Sequence, residues 1–253
     1  MIDIHTHILP GVDDGSSSMT ESLNLVRQGM KEGIRGAVCT SHVLDRLDSE
    51  TEARLNERFL ELKQAVRDKG WDFSLWLGAE LHVQTLFDIR SPLATINGQG
   101  RYCLLELPLG TMPARLGDLL FQLSLTGVVP ILAHPERNRV VWSNPGILGE
   151  LVARGVLIQI NSGSLTGTFG RKTRRLARSL VSQRMVHFVA SDCHDVRSRP
   201  MHLWRAYHWV IRRVGRVEAE RLFKENPLRV VQGEPIPEGS PMFSKKAARN
   251  RRF

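Results

Sequence analysis

The sequence predicts an α/β domain built as a barrel of parallel strands, and three observations predict it. Seven short apolar runs, mostly rich in Val, Ile, Leu and Phe, recur along the chain; helical signals fill the intervals; and most runs finish on a His, Glu, Asp or Asn. The runs are IDIH (2–5), GAVCTSH (36–42), LWLGAE (75–80), YCLLEL (102–107), VVPILAH (128–134), VLIQIN (156–161) and VHFVASD (186–192). Such runs suit strands buried on both faces, as in a parallel sheet covered by helices. After the first, Ser18 with Glu21 forms a capping-box pattern ahead of Leu23, Val26 and Met30 at helical spacing. Ser49 with Glu52 repeats that signal before Leu55, Phe59, Leu62 and Val66. Asn144 followed by Pro145 reads as an N-cap with proline at the first helical position, and that helix is expected to end near Gly155.

At 253 residues the chain is long enough for one such domain with a full core. An apolar fraction of 42% and a charged fraction of 24% are ordinary for a soluble protein and say nothing of chemistry. The net charge of +9 suits an anionic substrate, nucleic acid or an acidic membrane surface, and equally plain solubility. Cys39, Cys103 and Cys193 are odd in number and widely spaced, which argues against a disulfide framework and for a reducing, cytoplasmic setting. No apolar run approaches the roughly 18–20 residues of a membrane span, and the opening MIDIHTH carries no signal-peptide pattern, so a soluble protein is expected. The expected domain covers residues 1–238. Residues 239–253, with Lys245, Lys246, Arg249, Arg251 and Arg252 and little apolar content, read as a flexible basic tail.

In order, the runs finish at or just beyond His5/His7, His42, Glu80, Glu106, His134, Asn161 and Asp192/His194. Catalytic groups of parallel barrels sit at the carboxyl ends of the strands, where the βα loops converge. His5 and His7 are two apart and share a strand face, and Asp192 and His194 repeat that geometry. With nine histidines in the chain either pair alone is weak, and the joint placement carries the inference of one polar site. Imidazole and carboxylate ligands without thiolates suit Mn2+, Fe2+ or Zn2+ better than Mg2+. So many ligands imply two or three ions bridged by a carboxylate such as Glu80, an arrangement typical of phosphate-ester hydrolysis. Asp3 is expected to share the face of His5 and orient an imidazole.

The segments MIDIHTHILPGVDDGS, TSH, GAE, LLEL, AHPERN, QINSGSLTGTFG and SDCH followed by RSRP occur in order over roughly residues 1–235. They resemble the polymerase and histidinol phosphatase (PHP) superfamily. Within it they are similar to the bacterial manganese-dependent protein-tyrosine phosphatases of capsule and exopolysaccharide operons, the CpsB/YwqE type. The resemblance implies a distorted (β/α)7 TIM-like barrel, the PHP fold. It implies that His5 and His7 hold a first metal with Glu80 and Asp192, that Glu80 bridges to a second held by Glu106 and His134, and that Asp14, His42 and His194 hold a third. Spacing does not choose between Asp14 and its neighbour Asp13. The native metal implied is Mn2+, with Fe2+ or Zn2+ as alternatives. Arg137 in HPER and Arg199 in RSRP are implied to bind phosphate, for which a guanidinium fork is the fitting shape.

The chemistry expected is in-line attack by metal-bound hydroxide on phosphotyrosine, with no covalent enzyme intermediate. A tyrosine leaving group, with a pKa of about 10, needs less help from a general acid than serine would. The implied partner is a bacterial tyrosine kinase of the polysaccharide machinery, with the basic tail available for a membrane surface. Two features depart from the pattern: TSH lacks the Pro that many relatives carry before the His, and His82 stands where an aromatic is commoner. Neither removes a ligand. His82 shares the face of Glu80 but is read as a loop or supporting residue, and His187, His202 and His208 as structural.

Other mechanisms fit the sequence less well. Cys193 and Arg199 have the Cys-x5-Arg spacing of thiolate phosphatases, but the intervening HDVRS lacks glycine and His194 already serves the metal reading. A nucleic-acid or lipid-binding module built on Arg171, Lys172, Arg174, Arg175 and Arg178 would leave the strand-end ligands unexplained. That cluster reads as the solvated face of a helix whose apolar face includes Leu176 and Leu180. The nearest alternative is another PHP phosphoesterase acting on histidinol phosphate or a nucleic-acid phosphoester, since loops set the substrate on a shared fold.

Overall fold

Each of the seven apolar runs forms strand in the computed structural model, which describes residues 1–237; the basic segment expected at 239–253 lies outside the described residues. The chain runs β1 (Ile2–Thr6), α1 (Met19–Lys31), β2 (Gly36–Cys39), β3 (His42–Val43), β4 (Arg46–Leu47) and α2 (Ser49–Asp68). There follow β5 (Ser74–Leu77), β6 (Glu80–His82), β7 (Leu86–Phe87), β8 (Tyr102–Glu106), α3 (Leu116–Leu125), β9 (Val129–Ala133), α4 (Arg139–Ser143) and α5 (Gly146–Ala153). The last elements are β10 (Leu157–Asn161), α6 (Ser162–Thr166), α7 (Gly170–Ser182), β11 (Phe188–Ala190), α8 (Trp204–Arg213), α9 (Arg216–Glu220) and α10 (Asn226–Gln232).

All strand pairs are parallel. β1 pairs with β2 and β2 with β5; β3 pairs with β6, which continues through β8, β9 and β10 to β11. β2 and β3 are halves of one interrupted strand, as are β5 and β6. Gly78 N–H donates to Cys39 O at 3.0 Å and Glu80 N–H to Ser41 O at 3.1 Å, which carries the pairing across both breaks. The runs expected to be continuous are broken because the sheet changes partner there. β5 stays with β2, whereas β6 moves onto β8, and the 3-10 turn at Ile96–Gly98 packs where β8 does not reach β5. Asp192 N–H donates to His5 O and His7 N–H to Cys193 O, both at 2.9 Å, and these bonds join the last strand to the first. The result is a distorted (β/α)7 ring closed at its carboxyl end, with β4 and β7 as a small separate pair.

Two apolar clusters hold the ring. Ile4, Val38, Leu104, Ile131, Phe188 and Ala190 fill its interior together with Val230 and Val231 of α10. A larger cluster packs the outer strand faces against the helices, including the α2 stripe Leu55, Phe59, Leu62 and Val66. Burying each such side chain is worth about 1.5–3 kcal/mol, so the helical coat is a major source of stability. That stripe is as predicted, but the cap lies one residue earlier. Asp48 is the N-cap, its Oδ1 accepting Thr51 N–H at 3.0 Å, and its charge also complements the helix dipole, which the Ser49 hydroxyl does not.

α1 keeps half of its expected capping box. Glu21 N–H donates to Ser18 Oγ at 3.3 Å, while the Glu21 carboxylate takes the N–H and hydroxyl of Ser17 instead. The buried face of α1 centres on Ser22, Leu25, Val26 and Gly29, with Leu23 and Met30 at its margins. α5 starts just after Pro145 and stops at Ala153, but Asn144 gives it no side-chain cap; Gly155 follows with φ 86°. On α7 the residues Leu176, Ala177, Leu180 and Val181 are buried, and Arg171, Lys172 and Arg175 face solvent.

Candidate metal centre

A local irregularity in β1 aims the first two histidines. Asp3 pairs with Ala37 but Thr6 with Cys39, so β1 carries one extra residue, a bulge. Ile4 belongs to the ring interior, and beyond the bulge His5 and His7 face the same interior. The bulge breaks the period of two on which the role expected for Asp3 depended. Asp3 Oδ1 instead takes Ser191 N–H at 3.0 Å and His5 N–H at 3.4 Å, tying the first strand to the last and touching no imidazole. Burial raises its pKa to about 6.

Eight of the nine expected ligand residues converge in the mouth of the ring around Glu80. Its Oε2 lies 3.1 Å from His5 Nε2, 3.2 Å from His7 Nε2 and 3.0 Å from His42 Nδ1, and its Oε1 lies 3.0 Å from His134 Nε2. Asp192 Oδ1 is 3.4 Å from His7 Nε2, 3.5 Å from His5 Nε2 and 3.7 Å from His194 Nδ1. Glu106 approaches His42 Nδ1 at 3.6 Å and His134 Nε2 at 3.8 Å. Asp14, the ninth, reaches in from the solvent side, 3.4 Å from His194 Nε2 and 3.5 Å from His42 Nε2. The donor atoms fall into compact sets: His5, His7 and Glu80; His5, His134 and Asp192; His42, Glu80 and Glu106; and His7, Asp14, His42 and His194. His7 thus joins the outer set, which sequence reasoning had limited to Asp14, His42 and His194.

Surrounding hydrogen bonds fix the tautomers. His134 N–H is an obligate donor to Gln159 Oε1 at 3.3 Å, so that oxygen must accept from His5 Nδ1 as well, at 2.9 Å. Neutral His5 is therefore bare at Nε2. Asp13 separates itself from Asp14 in the same way: it accepts His7 Nδ1–H at 2.9 Å, His42 N–H at 3.0 Å and Gly15 N–H at 3.0 Å, so neutral His7 is bare at Nε2 as well. Gly15 permits this approach, because a Cβ there would lie 2.2 Å from His7 O. His5 Nε2 and His7 Nε2 then face each other at 3.1 Å beside two carboxylates. Lone pairs and anions crowded this way are stable only around positive charge.

The electrostatics show how strongly the cluster draws positive charge. Burial alone would raise Glu80 and Asp192, yet the imidazoles around them, and for Asp192 also Arg199, hold both well below the carboxylate range. Burial would lower His7, yet Asp13, Asp192 and Glu80 raise it well above its ordinary value. His194 is the exception: burial, with His7 and Arg199 adding to it, lowers its pKa to about 3, so its ring stays neutral. Glu80 Oε2, Asp192 Oδ1 and His194 Nε2 are buried without a hydrogen-bond partner. A donor set of imidazoles and carboxylates with unpartnered inward atoms fits borderline divalent cations. His134 and Asp192 both have positive φ, 30° and 54°, strain of a kind that collects at functional sites.

Arg137 and Arg199 stand on the rim. Arg137 Nη1 donates to Asp192 Oδ2 at 3.0 Å and its guanidinium lies 4.5 Å from the Phe169 ring; Arg199 Nη2 forms an ion pair with the same oxygen at 2.6 Å. Asn161 Nδ2 also donates to it, at 2.6 Å, and Asn161 Oδ1 takes Gln159 Nε2. Arg199 Nε is buried and unpartnered. Gln159 and Asp13 escaped sequence reasoning as orienting groups. The one signal for Gln159 was a polar side chain inside the apolar run VLIQIN, which needs a buried partner.

The remaining histidines stand apart. His82 only accepts Gln84 N–H at 3.4 Å, His187 accepts Ile158 N–H at 3.0 Å, His202 meets Glu32 at 3.2 Å, and His208 packs on Trp204. Cys193 is fully buried, and burial together with Asp3 pushes its thiol well above the usual range, both of which weigh against the thiolate the Cys-x5-Arg spacing suggested.

The family model described as "Capsular polysaccharide synthesis, CpsB/CapC" matches residues 1–232. The chain belongs to the CpsB/CapC family. Tyrosine-protein phosphatase YwqE of Bacillus subtilis (strain 168) is 32% identical over 239 residues, 93% of either chain. Tyrosine-protein phosphatase CpsB of Streptococcus pneumoniae is 31% identical over 244 residues, 93% of this chain and 100% of that one. Among the solved structures of YwqE and CpsB from these two organisms, described as unique metal-dependent tyrosine phosphatases, one superposes with a TM-score of 0.84 at 30% identity, covering 95% of this CpsB/CapC chain and 98% of its own. A lactonase from Listeria monocytogenes, at 14% identity and a TM-score of 0.55, shares the fold alone.

Proposed function

We propose that the cluster holds two or three divalent ions, Mn2+ foremost with Fe2+ or Zn2+ as alternatives, and that the protein hydrolyses phosphotyrosine on a substrate protein, a tyrosine kinase of capsular or exopolysaccharide biosynthesis. The observation that carries the reading is the meeting of a buried imidazole–carboxylate cluster with two arginines on its rim, in a chain whose relatives are named tyrosine-protein phosphatases. His5, His7, Glu80 and Asp192 would hold one ion, Glu80, Glu106 and His134 a second, and Asp14, His42 and His194 a third. Bound divalent ions supply Lewis-acid polarisation of phosphoryl oxygens and a nucleophile derived from water near neutral pH. Arg137 and Arg199 bind the phosphoryl oxygens and offset the charge that develops on them, and Phe169 keeps the Arg137 plane fixed. Asp13 and Gln159 hold the imidazoles of His7 and His5 in the tautomer that leaves Nε2 free.

The deciding experiment compares turnover of a phosphotyrosine peptide, histidinol phosphate and a phosphodiester with Mn2+, before and after chelation. The peptide is expected to be preferred and its turnover to vanish with chelator and return with Mn2+. Preference for either other substrate, or full activity in chelator, sinks the reading. A cytoplasmic setting goes with it: Cys39, Cys103 and Cys193 are free, and among the described residues no helix is long and apolar enough to cross a membrane. The basic residues at 239–253 would add attraction to an anionic membrane surface.

Two substitutions test the supporting parts. Gln159→Leu keeps the volume but releases His5 and the His134 backbone, and should weaken divalent-ion binding about 10- to 100-fold, read by titration calorimetry of the metal-free protein. Unchanged affinity would reduce Gln159 to a packing residue. Cys193→Ser should retain most activity, and mass spectrometry of quenched reactions should find no phosphocysteine in the wild type; a trapped adduct would replace the metal mechanism with a thiolate one.

A further inference from the structure

Two depressions flank the metal cluster, and they differ in charge. One, of about 640 Å3, opens beside His42 and Glu106 and is rimmed by Asp14, Asp45 and Asp48 together with Arg46 and Arg54. The other, of about 430 Å3, begins at Arg199 and runs between α6 and the start of α8, past Phe169, Arg197, Trp204 and Arg205. The carboxylate that lines it, Glu32, is already engaged by Trp204 N–H at 2.9 Å and His202 at 3.2 Å. The groove is shaped in advance: Asp195 holds the loop by accepting the N–H groups of Arg197 and Ser198 at 2.7 and 2.6 Å. Trp204 is 52% exposed, an aromatic face with only part of its surface covered.

We propose that this second groove seats the polypeptide flanking the phosphotyrosine and selects acidic residues there, a proposal that rests on the phosphotyrosine reading above. A substrate phosphate held at Arg137 and Arg199 leaves the chain on either side of it to run along one groove or the other. In the first groove Asp45 and Asp48 balance Arg46 and Arg54, and Asp14 and Glu106 serve the ions, so carboxylate side chains on that chain gain no net attraction there. In the second they meet Arg197 and Arg205, whose side chains are exposed and have no acidic partner among the described residues, while Trp204 offers apolar cover. Opposite charges arranged this way contribute mainly to selection and capture, so the effect falls on KM more than on kcat.

The test uses the Mn2+-loaded protein and three phosphotyrosine peptides, with acidic, neutral and basic flanks, beside p-nitrophenyl phosphate, which has no flank. The wild type is expected to favour the acidic peptide, with a preference that shrinks as ionic strength rises. The double variant Arg197→Glu/Arg205→Glu should lose about 10-fold in kcat/KM for that peptide, through KM, and keep its rate on p-nitrophenyl phosphate. Trp204→Ala should lower kcat/KM for all three peptides and again spare the small substrate. Equal kcat/KM across the flanks, unaltered by the charge reversals, overturns the groove assignment while the phosphatase reading stands. If the wild type turns over none of the peptides, the phosphatase reading falls and this inference with it.

Discussion

Glu80→Ala is expected to lower kcat for a phosphotyrosine peptide by on the order of 10^3-fold and to leave a folded protein. Glu80 alone touches four imidazoles, at 3.0 to 3.2 Å, so its loss disrupts every inner set of donor atoms that contains it. Lewis-acid stabilisation of a phosphoryl transition state is worth several kcal/mol, and each 1.36 kcal/mol is a factor of ten. Removing one partner of a buried charge cluster costs about 3–5 kcal/mol of stability, against a typical total of about 5–15. The fold should therefore survive with a lowered Tm, because the interior cluster around Ile4, Leu104 and Phe188 is untouched. Circular dichroism, metal analysis and kcat on the same preparation check this. Near-normal turnover in a folded Glu80→Ala protein would remove Glu80 from the site. His5→Ala and Asp192→Ala are held to the same standard.

What the sequence made legible follows from which signals are local. Seven buried strands and their terminal ligands could be read because apolar runs and the residues ending them are contiguous in the chain. The breaks after Cys39 and Leu77 could not, because they come from a change of partner between β5 and β6, which hydropathy does not record. The β1 bulge was hidden for a related reason: IDIHT alternates as a regular strand would, and only pairing with β2 exposes the extra residue. That residue decides that Asp3 braces backbone instead of an imidazole. Asp13 and Asp14 were indistinguishable by spacing. The turn at Gly15 separates them, burying Asp13 against His7 and leaving Asp14 at the solvent edge, 66% exposed. Gln159 is 154 residues from His5, and no local pattern could have paired them.

Arg137→Ala and Arg199→Ala are each expected to lose about 10- to 150-fold in kcat/KM while the metals stay bound. The estimate takes a charge-assisted hydrogen bond as worth about 1.5–3 kcal/mol in the transition state. Both arginines engage Asp192 Oδ2, Arg137 by a hydrogen bond and Arg199 by an ion pair, so the competing structural reading is that they serve only to hold that carboxylate. Three facts weigh against it. Asn161 already donates to the same oxygen at 2.6 Å, so Asp192 keeps a partner without them. The Nε of Arg199 is buried with no acceptor, a donor left over once Asp192 has been served. The Arg137 guanidinium is stacked on Phe169, which fixes its plane without using up its remaining N–H groups. Lysine should rescue either position only in part, since it restores charge but not the planar fork. A structural role would instead show as lost metal with a proportionate fall in kcat, and lysine would restore both. Full metal occupancy with unchanged kcat/KM in either alanine variant would end that arginine's assignment as a phosphoryl clamp.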